Sequence, residues 1–276
     1  MKITFGEVVP NLRPWVQHLD QVWPAYIIKP QFAAWEVLHI LSLVILGGTA
    51  ILMNLRLAGA GLAEEKPSEV YRNLRRWQDL GVLGIIISGV LIGMANAERL
   101  YDSTAFVVKI IALIAGIVLT YGAGRPIARA DGLVSKAARL WFFVGTGLWL
   151  ASVGVFATAV LANPGLFHVL MAAALIVLAL TRKAARAVFV VGLSVLVIGQ
   201  IIVTHSVIPA DDLSRLDPAN KVYAALLAVW IFGNAGREGL RPASDQDPER
   251  MAKLVGYVSI LVWVTAAAAG RWIAFA

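Results

Sequence analysis

Apolar positions along the chain fall into long runs separated by short clusters of Arg, Lys and polar residues. The runs cover roughly 33–54, 76–97, 104–124, 138–162, 164–181, 185–208, 220–236 and 251–274. Most approach the ~20 residues that a helix needs to cross a hydrocarbon core of ~30 Å. In lipid each backbone N–H and C=O must be satisfied within the protein, so such runs form helices. A transmembrane barrel would show alternating segments of about ten residues instead. The pattern therefore predicts an all-α, polytopic membrane protein of about eight transmembrane helices. Ahead of the first run lies a stretch rich in Trp and Pro, from Pro10 to Pro30. Trp15, Trp23 and Tyr26 suit a membrane–water interface, so residues 1–30 are expected on the surface as a short helix or turn.

Within the runs a fainter pattern recurs. The basic pair Lys136/Arg139 matches Arg250/Lys253, followed by Leu140 with Leu254, Val144 with Val258 and Trp149 with Trp263. Lys109 precedes Gly124-Arg125 by the spacing at which Lys221 precedes Gly236-Arg237, and Arg76/Gly89 repeats as Arg186/Gly199. The common order predicts two four-helix halves, 31–162 and 163–276. Because each half holds an even number of spans, both would insert the same way up, as parallel repeats.

Charge sets the orientation. The odd-numbered loops carry Arg56, Lys66, Arg72, Arg75 and Arg76, then Arg125, Arg129, Lys136 and Arg139, then Arg182, Lys183 and Arg186, then Arg237, Arg241, Arg250 and Lys253. The even-numbered loops hold only Arg99, Arg215 and Lys221. The positive-inside rule then places both termini in the periplasm of a bacterial inner membrane. The net charge of +7 lies in these short loops, which argues for the lipid bilayer as partner and against nucleic acid. Charged residues make up 15% of the chain, below the ~25% of a soluble domain. Cysteine is absent, which excludes disulfides, thiolate metal sites and thiol nucleophiles. No phosphate-binding glycine loop, H-E-x-x-H or G-x-S-x-G is present, which argues against nucleotide-driven and hydrolytic chemistry.

Ionisable groups within spans are functional candidates. His39 and His168 occupy similar depths on the first helix of each half, near the outer side. Two neutral imidazoles on facing helices can ligate a haem iron axially or hold copper. The plainer reading is that each caps a helix end. His205, at the outer end of the sixth span, is the substitute ligand. Glu36 shares a helix face with His39. Lys109, one turn into the third span, is placed to pair with Glu36, so that the two tune the site or meet a haem propionate; a structural ion pair is the alternative. Met171 beside His168, and Met94, add thioethers that suit Cu(I), though a lone Met on an apolar helix is usually packing. Ser42 and Ala172 leave room for a macrocycle. Asp211, Asp212 and Asp217 form an acidic outer loop that attracts cations or is merely solvated. Gly89 and Gly93 form a small-residue pair that favours close helix packing.

The stretch WEVLHILSLVILGGTAILMNLRLAG, 35–59, resembles a group of bacterial inner-membrane proteins of unassigned function. Phe106 to Lys109 and the terminal AGRWIAF, Ala269 to Phe275, fit the same pattern. More distantly the chain is similar to the eight-span copper-resistance D family, with a first-span His before a Gly pair and a Lys opening a later span. That resemblance implies a periplasm-facing metal role carried by His39 and Lys109. The chain departs from a copper transporter in lacking Met clusters and cysteines.

The expected function is a redox membrane protein that holds a b-type haem between His39 and His168 and passes electrons to a periplasmic or membrane partner. The alternatives are transport of copper or another small cation, and a cofactor-free accessory subunit of a membrane complex.

Overall fold

A computed structural model describes residues 3–62, 64–159, 165–181, 183–239 and 250–273. The expected boundary between halves, Arg182, Arg241 and the last residues of AGRWIAF lie outside the described residues. Three one-turn α-helices, α1 (Phe5–Val8), α2 (Arg13–Val16) and α3 (Ala25–Ile28), alternate with short 3₁₀ turns in the N-terminal segment. They are followed by α4 (Phe32–Leu57), α5 (Pro67–Ala95), the short α6 (Ala97–Tyr101) and α7 (Thr104–Val118). A π-helical turn, Leu119–Gly124, joins α7 to α8 (Arg125–Arg129). The chain continues as α9 (Lys136–Thr158), α10 (Gly165–Leu180), α11 (Lys183–Ile202), α12 (Leu213–Gly239) and α13 (Arg250–Trp272). Local chemistry sets several starts. Ser103 and Ser135 cap α7 and α9 by accepting from the backbone N–H of Phe106 and Ala138, and Pro67 opens α5.

All eight expected apolar segments are helical, and six described helices are long and apolar enough to cross a membrane. The two that fall short do so for different reasons. α10 has 16 residues, a length of about 24 Å at the α-helical rise. α12 has 27 residues, but its first turns carry Arg215, Asp217, Asn220 and Lys221, which confine its apolar stretch to 222–232.

α4 and α5 form an antiparallel pair, and α7 lies against α9 and α13. α13 also packs on α4 and α10, so the last helix ties the two ends of the chain together. In the second half α10 packs on α12 and α13 while α11 packs on α12, a pairing that differs from the first half. Trp149 is buried and donates its indole N–H to Thr265 Oγ1 at 2.9 Å, locking α9 to α13. Leu46, Ala50, Val82, Ile85 and Trp263 form a separate apolar cluster between α4, α5 and α13. Leu38, Leu41 and Val44 of α4 and Val191, Val195 and Ile198 of α11 are exposed, as lipid-facing side chains would be.

Small residues let α4 and α5 meet closely. A Cβ on Gly81 would stand 2.7 Å from the Leu46 backbone nitrogen and 2.9 Å from its Cα, neither of which can move aside. Gly81→Leu should therefore destabilise the pair by about 1–3 kcal/mol, the usual cost of overpacking. Gly47, with open space where a Cβ would go, should accept alanine without loss. Thermal-shift chromatography of both variants in detergent checks the contrast; equal stability would mean that α4 and α5 are not in contact there.

Candidate functional site

The antiparallel pairing of α4 with α5 sets opposite one another residues whose numbers sum to about 127. Gly81 faces Leu46, Gly84 faces Ser42 and Gly89 faces His39. A Cβ on Gly89 would lie 3.3 Å from His39 Cε1, so the missing side chain is what admits the imidazole between the helices. Ser88, buried beside Gly89, meets His39 Nδ1 at 2.8 Å through its Oγ. On the other side of the ring, Lys109 Nζ of α7 lies 3.2 Å from His39 Nε2. Lys109 runs over the backbone of α13, where a Cβ on Gly270 would be 3.6 Å from its Cε.

Donors and acceptors along this chain of contacts are consistent with one tautomer. The Ser88 hydroxyl donates to the Gly84 carbonyl, so Ser88 Oγ accepts from His39 Nδ1–H. His39 Nε2 is then the acceptor for a Lys109 N–H. A lysine ammonium has three donors, and this arrangement uses one. No carboxylate lies within ion-pair distance of Lys109 among the described residues. Lys109, expected to reach Glu36, reaches His39 instead. Glu36 is exposed on the outer turn of α4, and the imidazole is the polar group that points inward.

Lys109 and His39 open into a cavity of about 340 Å³, within the ordinary range for small-molecule sites. The remaining lining is apolar, including Ile85, Ile110, Leu113, Met94 and Phe106. Ile86 and Val90 line it while remaining exposed on α5, so the cavity has a sideways opening on an apolar surface. The N-terminal segment closes one end: Phe5, Val16 and Leu19 all line the cavity. That segment is held down by specific contacts. Arg13 makes two hydrogen bonds to Asp102, at 2.7 and 2.9 Å, and stacks over Tyr101 at 5.3 Å. The Tyr101 hydroxyl donates to the Val9 carbonyl, and Phe5 packs edge-on against Phe106. The surface stretch expected at 1–30 is therefore a cap with a buried face.

Other candidates lie elsewhere. His168 is exposed on α10 and packs edge-on against Trp272, with ring centroids 5.2 Å apart. His205 is exposed in a π-helical turn, Val203–Val207, where its Nδ1 meets Thr204 Oγ1 at 2.9 Å. Neither lines the cavity. Among the described residues no group of three or more His, Asp or Glu is placed to hold a metal ion. The structure thus brings together His39 and Lys109, and adds Ser88, Gly270 and the cap, which the sequence did not single out as parts of a site. Gly270 falls within the AGRWIAF stretch, and Gly89 stood out only as a packing residue. Ser88 carried no signal, since a serine in an apolar helix looks like any small residue.

A second polar cluster sits at the opposite, arginine-rich end. Arg125 is buried, pairs with Asp79 at 2.6 Å and donates to Gln78 Oε1 at 3.0 and 3.1 Å. Its guanidinium stacks over Tyr121 at 4.0 Å, while the Tyr121 hydroxyl donates to Asp79.

Residues 28–138 are similar to the model of DUF6644, a family of unknown function. The matched stretch holds His39, Ser88, Lys109 and Arg125. No curated protein and no solved structure matches the chain.

The Arg13 guanidinium, chiefly through its hydrogen bonds, holds the Asp102 carboxyl below the ordinary carboxylate range. A depressed folded-state pKa gives stability that is present above the unfolded value, about 3.9 for Asp. That stability is lost as pH falls through the depressed value. An environment-sensitive dye on Leu19→Cys should thus report a closed cap from pH 8 to 5 and opening only below about pH 4. Adding Asp102→Asn should give the open signal at neutral pH. Identical signals with and without Asp102→Asn would show that this ion pair does not hold the cap.

Proposed function

We propose that this chain is an eight-span inner-membrane protein, with both termini periplasmic, whose functional centre is the His39–Lys109 pair. The pair would bind a lipophilic molecule that enters from the outer leaflet and presents hydrogen-bond-accepting oxygens. A quinone-like headgroup is the class that fits best. The observation that carries this reading is an amine inside a span with an imidazole as partner, no described carboxylate beside it, and an apolar cavity in front. An unpaired ammonium in such surroundings is costly, and an acceptor oxygen from a ligand relieves that cost. A quinone carbonyl accepts from Lys109, whose ammonium has donors to spare and is held in place by His39, and the ring and tail suit Ile85, Leu113 and Phe106. The opening beside Ile86 and Val90 gives entry from the bilayer. The helical segments at 165–180 and 213–239 support the two additional spans, and the basic loops support the orientation.

The redox role expected from the sequence is then carried by the ligand. A haem shared by His39 and His168 would require His39 to leave Lys109 and His168 to leave Trp272. Copper is disfavoured by electrostatics: Met94 and His39 do line one cavity, but an ammonium at 3.2 Å from the imidazole repels a cation.

The test is binding. Purified protein is extracted with organic solvent for mass spectrometry and titrated with a short-chain quinone analogue, alongside His39→Ala, Lys109→Met and His168→Ala. A hydrogen bond from a charged donor contributes about 1.5–3 kcal/mol, so Lys109→Met should weaken binding roughly tenfold to a hundredfold, and His39→Ala, which removes the group that positions Lys109, should weaken it in the same direction. His168→Ala should bind like the parent. Absence of any bound or added ligand in the parent, or equal binding in all four, would overturn the reading. Haem absorption bands lost in both His39→Ala and His168→Ala would replace it with the two-histidine centre.

A further inference from the structure

α7 and α13 run antiparallel in a register that the structure fixes at two points. Lys109 lies over Gly270, and Gly116 lies against Trp263, where a Cβ would be 2.9 Å from the indole. Both pairs have numbers summing to 379, so Thr120 and Ser259 stand at one level, a turn beyond Trp263 toward the arginine-rich end. Both are almost wholly buried, and neither hydroxyl has a hydrogen-bond partner. Trp263 Nε1, one turn away, is likewise buried without a partner. Further toward the same end, Asn54 Oδ1 and Gln78 Nε2 are buried and unpartnered. Asn54 Oδ1 adjoins Gly124, where a Cβ would be 4.0 Å away, and Gln78 is held by Arg125. The series ends at Asp79, half-exposed beside Arg125 and Tyr121.

Five buried polar atoms in this one part of a bundle are too many to leave unsatisfied, because each costs about 1–3 kcal/mol. Water is the ligand that offers both donors and acceptors to hydroxyl, amide and indole groups in a narrow space. The π-helical turn at Leu119–Gly124 lies within this stretch, and such insertions are frequent at functional sites. On the far side of Trp263, its packing with Leu46, Ala50, Val82 and Ile85 is apolar.

We propose that the polar groups between Arg125 and Trp263 line a hydrated half-channel. It opens at Asp79, takes water as its ligand, and is closed by the Trp263 indole beneath the His39–Lys109 pair. The two polar sites then face opposite membrane surfaces across one apolar plug. This inference rests on the buried polar atoms and holds whatever ligand His39 and Lys109 bind.

The chain has no native cysteine, so single cysteines can be read directly. Asn54→Cys, Thr120→Cys and Ser259→Cys are reacted with a small, charged, membrane-impermeant thiol reagent in vesicles of each orientation. Ala115→Cys and Val262→Cys, equally buried among apolar neighbours, are the controls. The three polar positions should react at least tenfold faster than the controls, and only from the face that bears Arg125. Reaction as slow as the controls, in variants that keep the parent's thermal stability, would overturn the proposal. Should the variants fail to fold, radiolytic footprinting of the unaltered protein decides. Trp263 should be oxidised well above Trp149, which is similarly buried but hydrogen-bonded. Equal protection of the two indoles would show that no water reaches Trp263.

Discussion

An amine in the membrane with a neutral imidazole as its partner is the constraint around which the first half of this structure is arranged. Lys109 cannot simply be placed in hydrocarbon, and the described residues offer it no carboxylate. It is brought to His39 Nε2 instead, and His39 is in turn oriented by Ser88. Each of those positions depends on a close approach of helices: Gly89 admits the imidazole, and Gly270 admits the lysine stem. The result is a polar point at the end of an apolar cavity. Its donors are fixed in direction by the backbone of three helices and not by flexible loops.

The N-terminal segment gives that point its sidedness. Arg13, Tyr101 and Asp102 hold α1 and α2 over the cavity, so Phe5, Val16 and Leu19 close one end of it. The exposed Ile86 and Val90 leave it open sideways on an apolar surface. Across the Trp263 cluster the bundle changes character, from apolar packing to the Arg125, Gln78 and Asp79 network.

Much of the architecture was legible in the hydropathy pattern, because lipid forces an apolar run to be a helix. Hydropathy gives the segments at 164–181 and 220–236 equal standing as spans. One forms a helix of 16 residues and the other carries charge in its first turns, features visible only when helix ends are known. His39 and Lys109 were legible as ionisable groups within spans, but their partner was not. Glu36 is three residues from His39 and looked the natural mate for Lys109. Helix register decided otherwise, and register between distant helices leaves no mark in local sequence. The pairing of His39 with His168 rested on an internal repeat. His168 lies against Trp272 and outside the lining of the His39 cavity. The cap was hidden for a related reason: Arg13 and Asp102 are 89 residues apart.

The measurement that bears most directly on this account is solid-state NMR of the protein in bilayers with isotope-labelled histidine and lysine side chains. The account predicts one imidazole protonated at Nδ1, with its Nε2 correlated to a lysine amine at about the 3.2 Å separation seen here. That correlation should vanish in Lys109→Met. An imidazole with no lysine neighbour, or one whose Nε2 carries the signature of a metal bond, would contradict it.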